Sequence, residues 1–407
     1  AKPTRCAAPL SRCRAPLYLS TTMNLHDFDA IRPVEPNELP AAFDALLADA
    51  TFCTIMQSFF KDVPFEVLKR QLYACQDNLQ VQRTFFLPLI TNLLQQASTG
   101  IDMDTSALDG AERLQPHTYI SNHRDIVLDS ALLDVLLIGE GFDKTVEIAI
   151  GDNLLLQPWI KTLVRVNKSF IVQRSVGLRE MLASSKRLSE YMHFAIAEKQ
   201  QPIWIAQREG RAKDSDDRTQ ESLLKMMTMG GEGTPLQRLK SLHIVPLTIS
   251  YEYDPCDFLK AQEFQQKRDN PDFRKSGQDD LDNMQTGIFG YKGKIHYHMA
   301  RPANTWLDEL EGLPKDEFYA EAARRIDREI HSHYALFANN YAALDLLEGT
   351  HRFAAHYTAE ELARFEQYLE GQMQKIQLPQ GSDRDFLRER MLTMYANPLR
   401  NYLAAVQ

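Results

Sequence analysis

The stretch Thr118-Tyr-Ile-Ser-Asn-His-Arg-Asp-Ile-Val-Leu-Asp129 decides the fold class. Its opening, Thr118-Tyr119-Ile120, is β-favouring, and Ile126, Val127, Leu128, Ala131, Leu132, Leu133, Val135 and Leu136 recur with helical spacing. The pattern predicts a strand, a short turn and a helix, with His123 presented at the turn. Open α/β sheets place their chemistry at such strand-to-helix junctions. Histidine can remove a proton near neutral pH, and a carboxylate can fix its tautomer. Asp125 and Asp129 both stand close enough in sequence to do this, and Asp125 is equally suited to capping the helix.

Outward from this stretch the same alternation continues. Strands are predicted at Thr118–Ser121, Val146–Ile150, Ser169–Gln173, Ile203–Ala206, Ile244–Tyr251 and Lys294–Met299. Helical patterns lie between them at about 154–166 and 178–198. Alternation of this kind predicts an α/β domain with a largely parallel sheet flanked by helices. Residues 38–96 are helical in pattern, and so is the chain after Pro302, where Thr358-Ala-Glu-Glu361 is a capping box ahead of Leu362, Phe365, Leu369, Met373 and Ile376. The polar run 262–285, with Asn270-Pro271, reads as a surface excursion. The expected division is a leader or extension at 1–22, a helical region at 23–100, the α/β domain at 101–305 and a second helical region at 306–407.

Composition narrows the function classes. The chain has 407 residues, 25% charged and 44% hydrophobic, which is a globular composition. A net charge of −9 argues against general nucleic-acid binding and gives no overall attraction to anionic lipid. Any anionic ligand must then be held by local Arg and Lys. The five cysteines, Cys6, Cys13, Cys53, Cys75 and Cys256, are scattered without a CxxC pair, which disfavours a disulfide framework or structural zinc and suits a reducing cytoplasm. No apolar run reaches the roughly 18 residues that span a bilayer, so any lipid contact is expected at the membrane surface. Residues 1–22 carry Lys2, Arg5, Arg12 and Arg14 and no acid, and Met23 is the first methionine, which suggests an extension ahead of a start at Met23.

Three further segments end predicted strands. Lys168-Ser-Phe-Ile-Val-Gln-Arg174 closes on an arginine, Trp204-Ile-Ala-Gln-Arg-Glu-Gly-Arg-Ala-Lys-Asp214 runs into a glycine-bearing loop, and Ile244-Val-Pro-Leu-Thr-Ile-Ser-Tyr-Glu252 carries a proline suited to an edge, a strand beginning or a bulge. In a parallel sheet these ends converge with His123. Arg174, Glu209, Arg211 and Lys213 would share that site, and a cluster of Arg and Lys in an acidic chain points to a phosphate ligand, because the guanidinium fork matches phosphate oxygens.

In this order the four blocks resemble the glycerolipid acyltransferase family, which includes the glycerol-3-phosphate and 1-acylglycerol-3-phosphate acyltransferases. The blocks are Asn122-His123 with Asp129, Phe170-Ile-Val-Gln-Arg174, Glu209-Gly210-Arg211 and Val245-Pro246, supported by Ala149-Ile-Gly-Asp-Asn-Leu154 and Ile249-Ser-Tyr-Glu252. The similarity covers roughly residues 117–300. Two departures are visible: five residues rather than four separate His123 from Asp129, and the third block lacks the residue usual between Gly210 and Arg211. The shifted spacing leaves Asp129 and Asp125 as competing partners of His123.

The resemblance implies transfer of an acyl group from acyl-CoA or acyl-carrier protein to glycerol 3-phosphate or 1-acylglycerol 3-phosphate, with no cofactor and no metal. His123 would act as base and Asp129 as its orienting carboxylate. Arg174 and Arg211 would hold the acceptor phosphate, Glu209, next to Gly210 in the same block, would position the acceptor hydroxyl or Arg211, and Lys213, Arg208 and Arg124 would be secondary phosphate contacts. Backbone N–H groups at the start of the following helix would face the oxyanion. It implies a cytoplasmic protein bound peripherally to the inner membrane surface, and Leu154–Arg165, with Trp159, Lys161 and Arg165, is the segment suited to that contact. The competing readings are a non-catalytic lipid-binding scaffold on the same fold and a metal-dependent hydrolase using His296-Tyr-His298.

Overall fold

The computed structural model describes residues 23–174 and 177–407, so the segment read as a leader lies outside the described residues. Seven strands form one sheet: β1 (Gly100–Asp104), β2 (Thr118–Ser121), β3 (Glu147–Gly151), β4 (Ser169–Val172), β5 (Ile203–Ala206), β6 (Ile244–Tyr251) and β7 (Lys294–Met299). Their spatial order is β1-β7-β6-β2-β5-β3-β4. All neighbours are parallel except β6 and β7, so β7 and β1 run against the other five. The fold is α/β with a mostly parallel mixed sheet, as the alternating pattern predicted.

Both faces of the sheet are covered, and the strand residues alternate between two cores. Ile120, Ile203, Ile205 and Ile244 pack with Leu188, Tyr191, Met192, Ala195 and Ile196 of helix Leu178–Ala197 and with Phe318, Ala322, Ile326 and Ile330 of helix Lys315–Ser332. Tyr119, Trp204, Val245, Leu247 and Ile249 face the other way, onto Leu132, Leu133, Leu136 and Leu137 of helix Leu128–Gly139 and Ile90 and Leu94 of helix Leu87–Ala97. After β5 the chain crosses back past β2 to build β6. The carboxyl ends of β5, β2 and β6 therefore lie at a switch point, where such sheets open a crevice.

Pro246 sits in an interior strand, between β2 and β7, and not at a sheet edge. Its carbonyl accepts from Ala300 N–H, one step beyond the last ladder pair, Leu247 with Met299. The missing donor therefore faces the side where β7 has already ended, which makes this a strand beginning in the sense that matters for proline.

Four elements differ from the sequence expectation. β1 was not foreseen; its Asp102 and Asp104 are poor strand formers, and it is held as an edge by pairing with β7. The supposed surface excursion is two helices, Asp257–Asp269 and Gly277–Phe289, with Ala261, Glu263, Gln265, Asn283 and Gly287 buried. Asn270 and Pro271 only join them. The helix expected from about 154 starts at Pro158, which occupies a first-turn position and causes no kink. Its Trp159 and Leu163 pack against the N-terminal helices rather than the sheet, Trp159 with its ring 6.1 Å from Phe52.

The C-terminal helices Ala338–Glu348, Ala359–Met373 and Arg384–Ala405 share a separate core containing Phe365, Leu369, Met373 and Ile376. The Thr358 capping box is formed with Glu361. Among the described residues no single helix is long and apolar enough to cross a membrane.

Candidate functional site

The chain leaves β2 under tight control. Asn122 grips the backbone of β6 at Ile249 in both directions, its amide donating to Ile249 O and its carbonyl accepting from Ile249 N, each at 2.8 Å. Ser121 Oγ accepts from Trp204 Nε1 at 3.0 Å, and the Trp204 ring stands edge-on to His123 with 5.9 Å between centroids. His123 is thereby presented at the switch point with a side chain 13% exposed.

Its partner is Asp129, in the first turn of helix Leu128–Gly139 and fully buried. His123 Nδ1 is 2.8 Å from Asp129 Oδ2. The same oxygen accepts from Arg124 N–H at 2.6 Å. Oδ1 accepts from the Tyr251 hydroxyl at 3.1 Å, and the Asp129 carbonyl accepts from the Tyr297 hydroxyl at 2.9 Å. A carboxylate accepting at Nδ1 places that proton on Nδ1 and leaves the Nε2 lone pair free to take another. Nε2 has no hydrogen-bond partner among the described residues.

Asp125, the competing partner, does something else. Its Oδ1 accepts from Val127 N–H at 2.9 Å and Leu128 N–H at 2.8 Å, which holds the turn that leads into the helix. Burial, then the nearby Asp129 charge, push its carboxyl above the ordinary value. Gly287 of the second hairpin helix presses on it so closely that a Cβ there would lie 2.1 Å from Asp125 Oδ2. The extra residue between His123 and Asp129 is absorbed in the nonhelical turn 124–127, so Asp129 still reaches the imidazole.

The cationic residues divide by partner. Arg174 lies at the rim, 37% exposed, with Nη1 3.4 Å from Glu209 Oε1 and its backbone N–H donating to Asp152 at 3.1 Å. Its guanidinium lies against Gly151, where a Cβ would approach to 3.3 Å. Gly210 takes φ +67°, a conformation that suits glycine, and turns the chain between Glu209 and Arg211. Arg211 Nη2 donates to Asn283 Oδ1 at 2.9 Å, whereas its Nη1 is buried without a hydrogen-bond partner among the described residues.

Arg124 and Lys213 are occupied internally. Arg124 is buried over the Tyr334 ring and 3.5 Å from Asp217, whose carboxylate has no hydrogen-bond partner among the described residues. Lys213 pairs with Glu263, and burial pulls its ammonium down to about 8. Asn283, Gly287 and Tyr251 are the contributors that sequence reasoning did not assign. Asn283 lies in the polar run 262–285 and Gly287 just after it, and Tyr251 belongs to the strand motif Ile249-Ser-Tyr-Glu252.

His296 and His298 project from one face of β7 but engage separate carboxylates, Asp102 and Asp104 on β1. His298 also stacks on His333 at 4.0 Å, and burial holds it down to about 4. No group of three or more His, Cys, Asp or Glu suited to one metal ion occurs among the described residues.

The crystal structure of the 1-acyl-sn-glycerophosphate (LPA) acyltransferase PlsC from Thermotoga maritima is similar over 72% of this chain and 94% of that one, at 13% identity and a TM-score of 0.37. No family model matches the sequence, and no curated protein does.

Proposed function

We propose that the protein is an acyltransferase that moves an acyl group from a thioester donor, acyl-CoA or acyl-carrier protein, to a hydroxyl of glycerol 3-phosphate or its 1-acyl derivative. The observation that carries this reading is the 2.8 Å pair of His123 Nδ1 and Asp129 Oδ2 at the carboxyl end of β2, with Nε2 left free. The order of the four sequence blocks supports the choice of substrate class.

In the proposed reaction His123 Nε2 takes the proton of the acceptor hydroxyl as its oxygen bonds to the thioester carbonyl carbon. Asp129 holds the imidazole and stabilises its cationic form, a division of labour known from triads. The tetrahedral adduct collapses by breaking the C–S bond, and the imidazolium returns its proton to the leaving thiolate. Arg174 and Arg211 are the proposed anion contacts for the acceptor phosphate, with Glu209 held 3.4 Å from Arg174. Arg124 and Lys213, neutralised by Asp217 and Glu263, support the loop instead.

The test is an acyl-transfer assay on the full chain with labelled acyl-CoA and acyl-carrier protein, each offered with glycerol 3-phosphate and with lysophosphatidate. Ester product that disappears in folded His123→Ala is the expected result. Lipid binding without product for any pair, unchanged in His123→Ala, overturns catalysis in favour of a lipid-binding scaffold.

A further inference from the structure

Asp129 meets three donors at its carboxylate, and they are not equivalent. His123 Nδ1 and Arg124 N–H converge on Oδ2, while Oδ1 receives, among the described residues, only the Tyr251 hydroxyl. Tyr251 closes β6, the strand whose Ile249 backbone is clipped by Asn122 and whose register with β2 and β7 is fixed on both sides. Its hydroxyl is therefore delivered by a rigid element reaching the dyad from 122 residues away in sequence.

We propose that Tyr251 is a positioning residue for the dyad: by donating to Asp129 Oδ1 it fixes the plane of the carboxylate, so that Oδ2 stays on His123 Nδ1. An aspartate with one unsatisfied oxygen can rotate about its last side-chain torsion, and a buried oxygen without a donor is costly. Tyr251 removes both problems with one bond. Its phenol is held well above the ordinary value, chiefly by burial, so it remains a donor at any working pH. Tyr297 on β7 braces the arrangement from below by donating to the Asp129 carbonyl. The other charged groups facing the dyad are Arg124 and Asp125 on its own turn and Asp217 from the loop after β5. None of these donates to Oδ1.

The kinetic consequence rests on the acyl-transfer reading, but the positioning can be observed without it. Two experiments are run on full-length wild type, Tyr251→Phe and a protein with 3-fluorotyrosine in place of Tyr251. One follows the His123 Nδ1–H resonance in histidine-labelled protein, assigned by its loss in His123→Ala. The other is the acyl-transfer rate against pH.

Removing the hydroxyl concentrates the carboxylate charge on Oδ2 and frees its rotation. In Tyr251→Phe the Nδ1–H signal is expected to broaden and exchange faster, the acid limb of the rate profile to move to higher pH, and kcat to fall roughly tenfold with KM unchanged. The fluorinated hydroxyl, a stronger donor, should move the acid limb the opposite way, which keeps the test open if Tyr251→Phe fails to fold. An unchanged Nδ1–H signal in a folded variant, with superimposable pH profiles, overturns the assignment. If wild type transfers no acyl group, the functional reading fails, and the resonance alone decides the role of Tyr251.

Discussion

At the scale of single residues, the two aspartates near His123 have different duties and their variants should separate. Asp129→Asn replaces the acceptor facing Nδ1 with an amide and disturbs the tautomer. Acyl transfer is expected to drop by at least about 10²-fold, approaching the loss in His123→Ala. Asp125→Ala removes the acceptor of the Val127 and Leu128 N–H groups and should cost about 1 kcal/mol of stability in urea unfolding. The arginines separate in the same manner. Arg174→Ala, at the rim, should raise KM for the phosphorylated acceptor with little change in the unfolding midpoint. Arg124→Ala leaves Asp217 without its ion-pair partner in the interior and should cost about 3 kcal/mol or more. His123 and Asp129 were visible in sequence because they are neighbours within one strand-to-helix turn. Tyr251 was not assigned, since its hydrogen bond spans 122 residues and exists only through strand pairing.

Among elements, the helical hairpin of Asp257–Asp269 and Gly277–Phe289 sits on the dyad turn through Gly287 and on the arginine loop through Asn283. Gly287→Ala inserts a methyl 2.1 Å from Asp125 Oδ2. The helix or the buried Asp125 carboxylate must shift, so a stability loss of roughly 1–3 kcal/mol is expected together with a lower kcat, measured by unfolding and by turnover on the same preparation. This hairpin was illegible because its buried face is polar, with Glu263, Gln265 and Asn283 among its interior residues, and a polar interior face carries no apolar period. β1 failed for a related reason, being a short edge strand with two aspartates. Strands β2, β5, β6 and β7 were legible to their ends because apolar and β-branched residues dominate or alternate in them. The proposed membrane contact also belongs to an element. Trp159 is packed on Phe52, but Leu156, just before the helix, is 54% exposed. Leu156→Asp should reduce co-flotation with phosphatidylglycerol-containing liposomes, and equal flotation of variant and wild type removes that segment as the contact.

For the whole molecule, stability links the sheet domain to the C-terminal helices through a buried carboxylate. Asp257 opens the first hairpin helix and accepts from Tyr395 at 2.7 Å, from Tyr368 at 3.0 Å and from Gln372 on the C-terminal helices. Burial raises it from 3.8 to about 7. Between those values the folded chain carries the proton and the unfolded chain does not, so this group's contribution is present at low pH and is lost as pH rises through 7. His331 acts with the opposite sign: burial lowers it from 6.5 to about 4, so its contribution is present above 6.5 and lost as pH falls toward 4. Asp257→Asn should therefore shrink the loss of stability between pH 5 and pH 8, read as urea midpoints at the two values, and an undiminished loss would assign it elsewhere.

The clip between Asn122 and Ile249 has a consequence for how preparations of this protein behave. A slip of β6 against β2 by one residue would turn every β6 side chain to the opposite face. The clip would break, and Tyr251 would swing away from Asp129. A misregistered molecule keeps its bulk and much of its secondary structure, yet it is silent. On the acyl-transfer reading, specific activity counts correctly threaded molecules, and refolded batches with matching circular dichroism differ in turnover in proportion to the fraction that found the register.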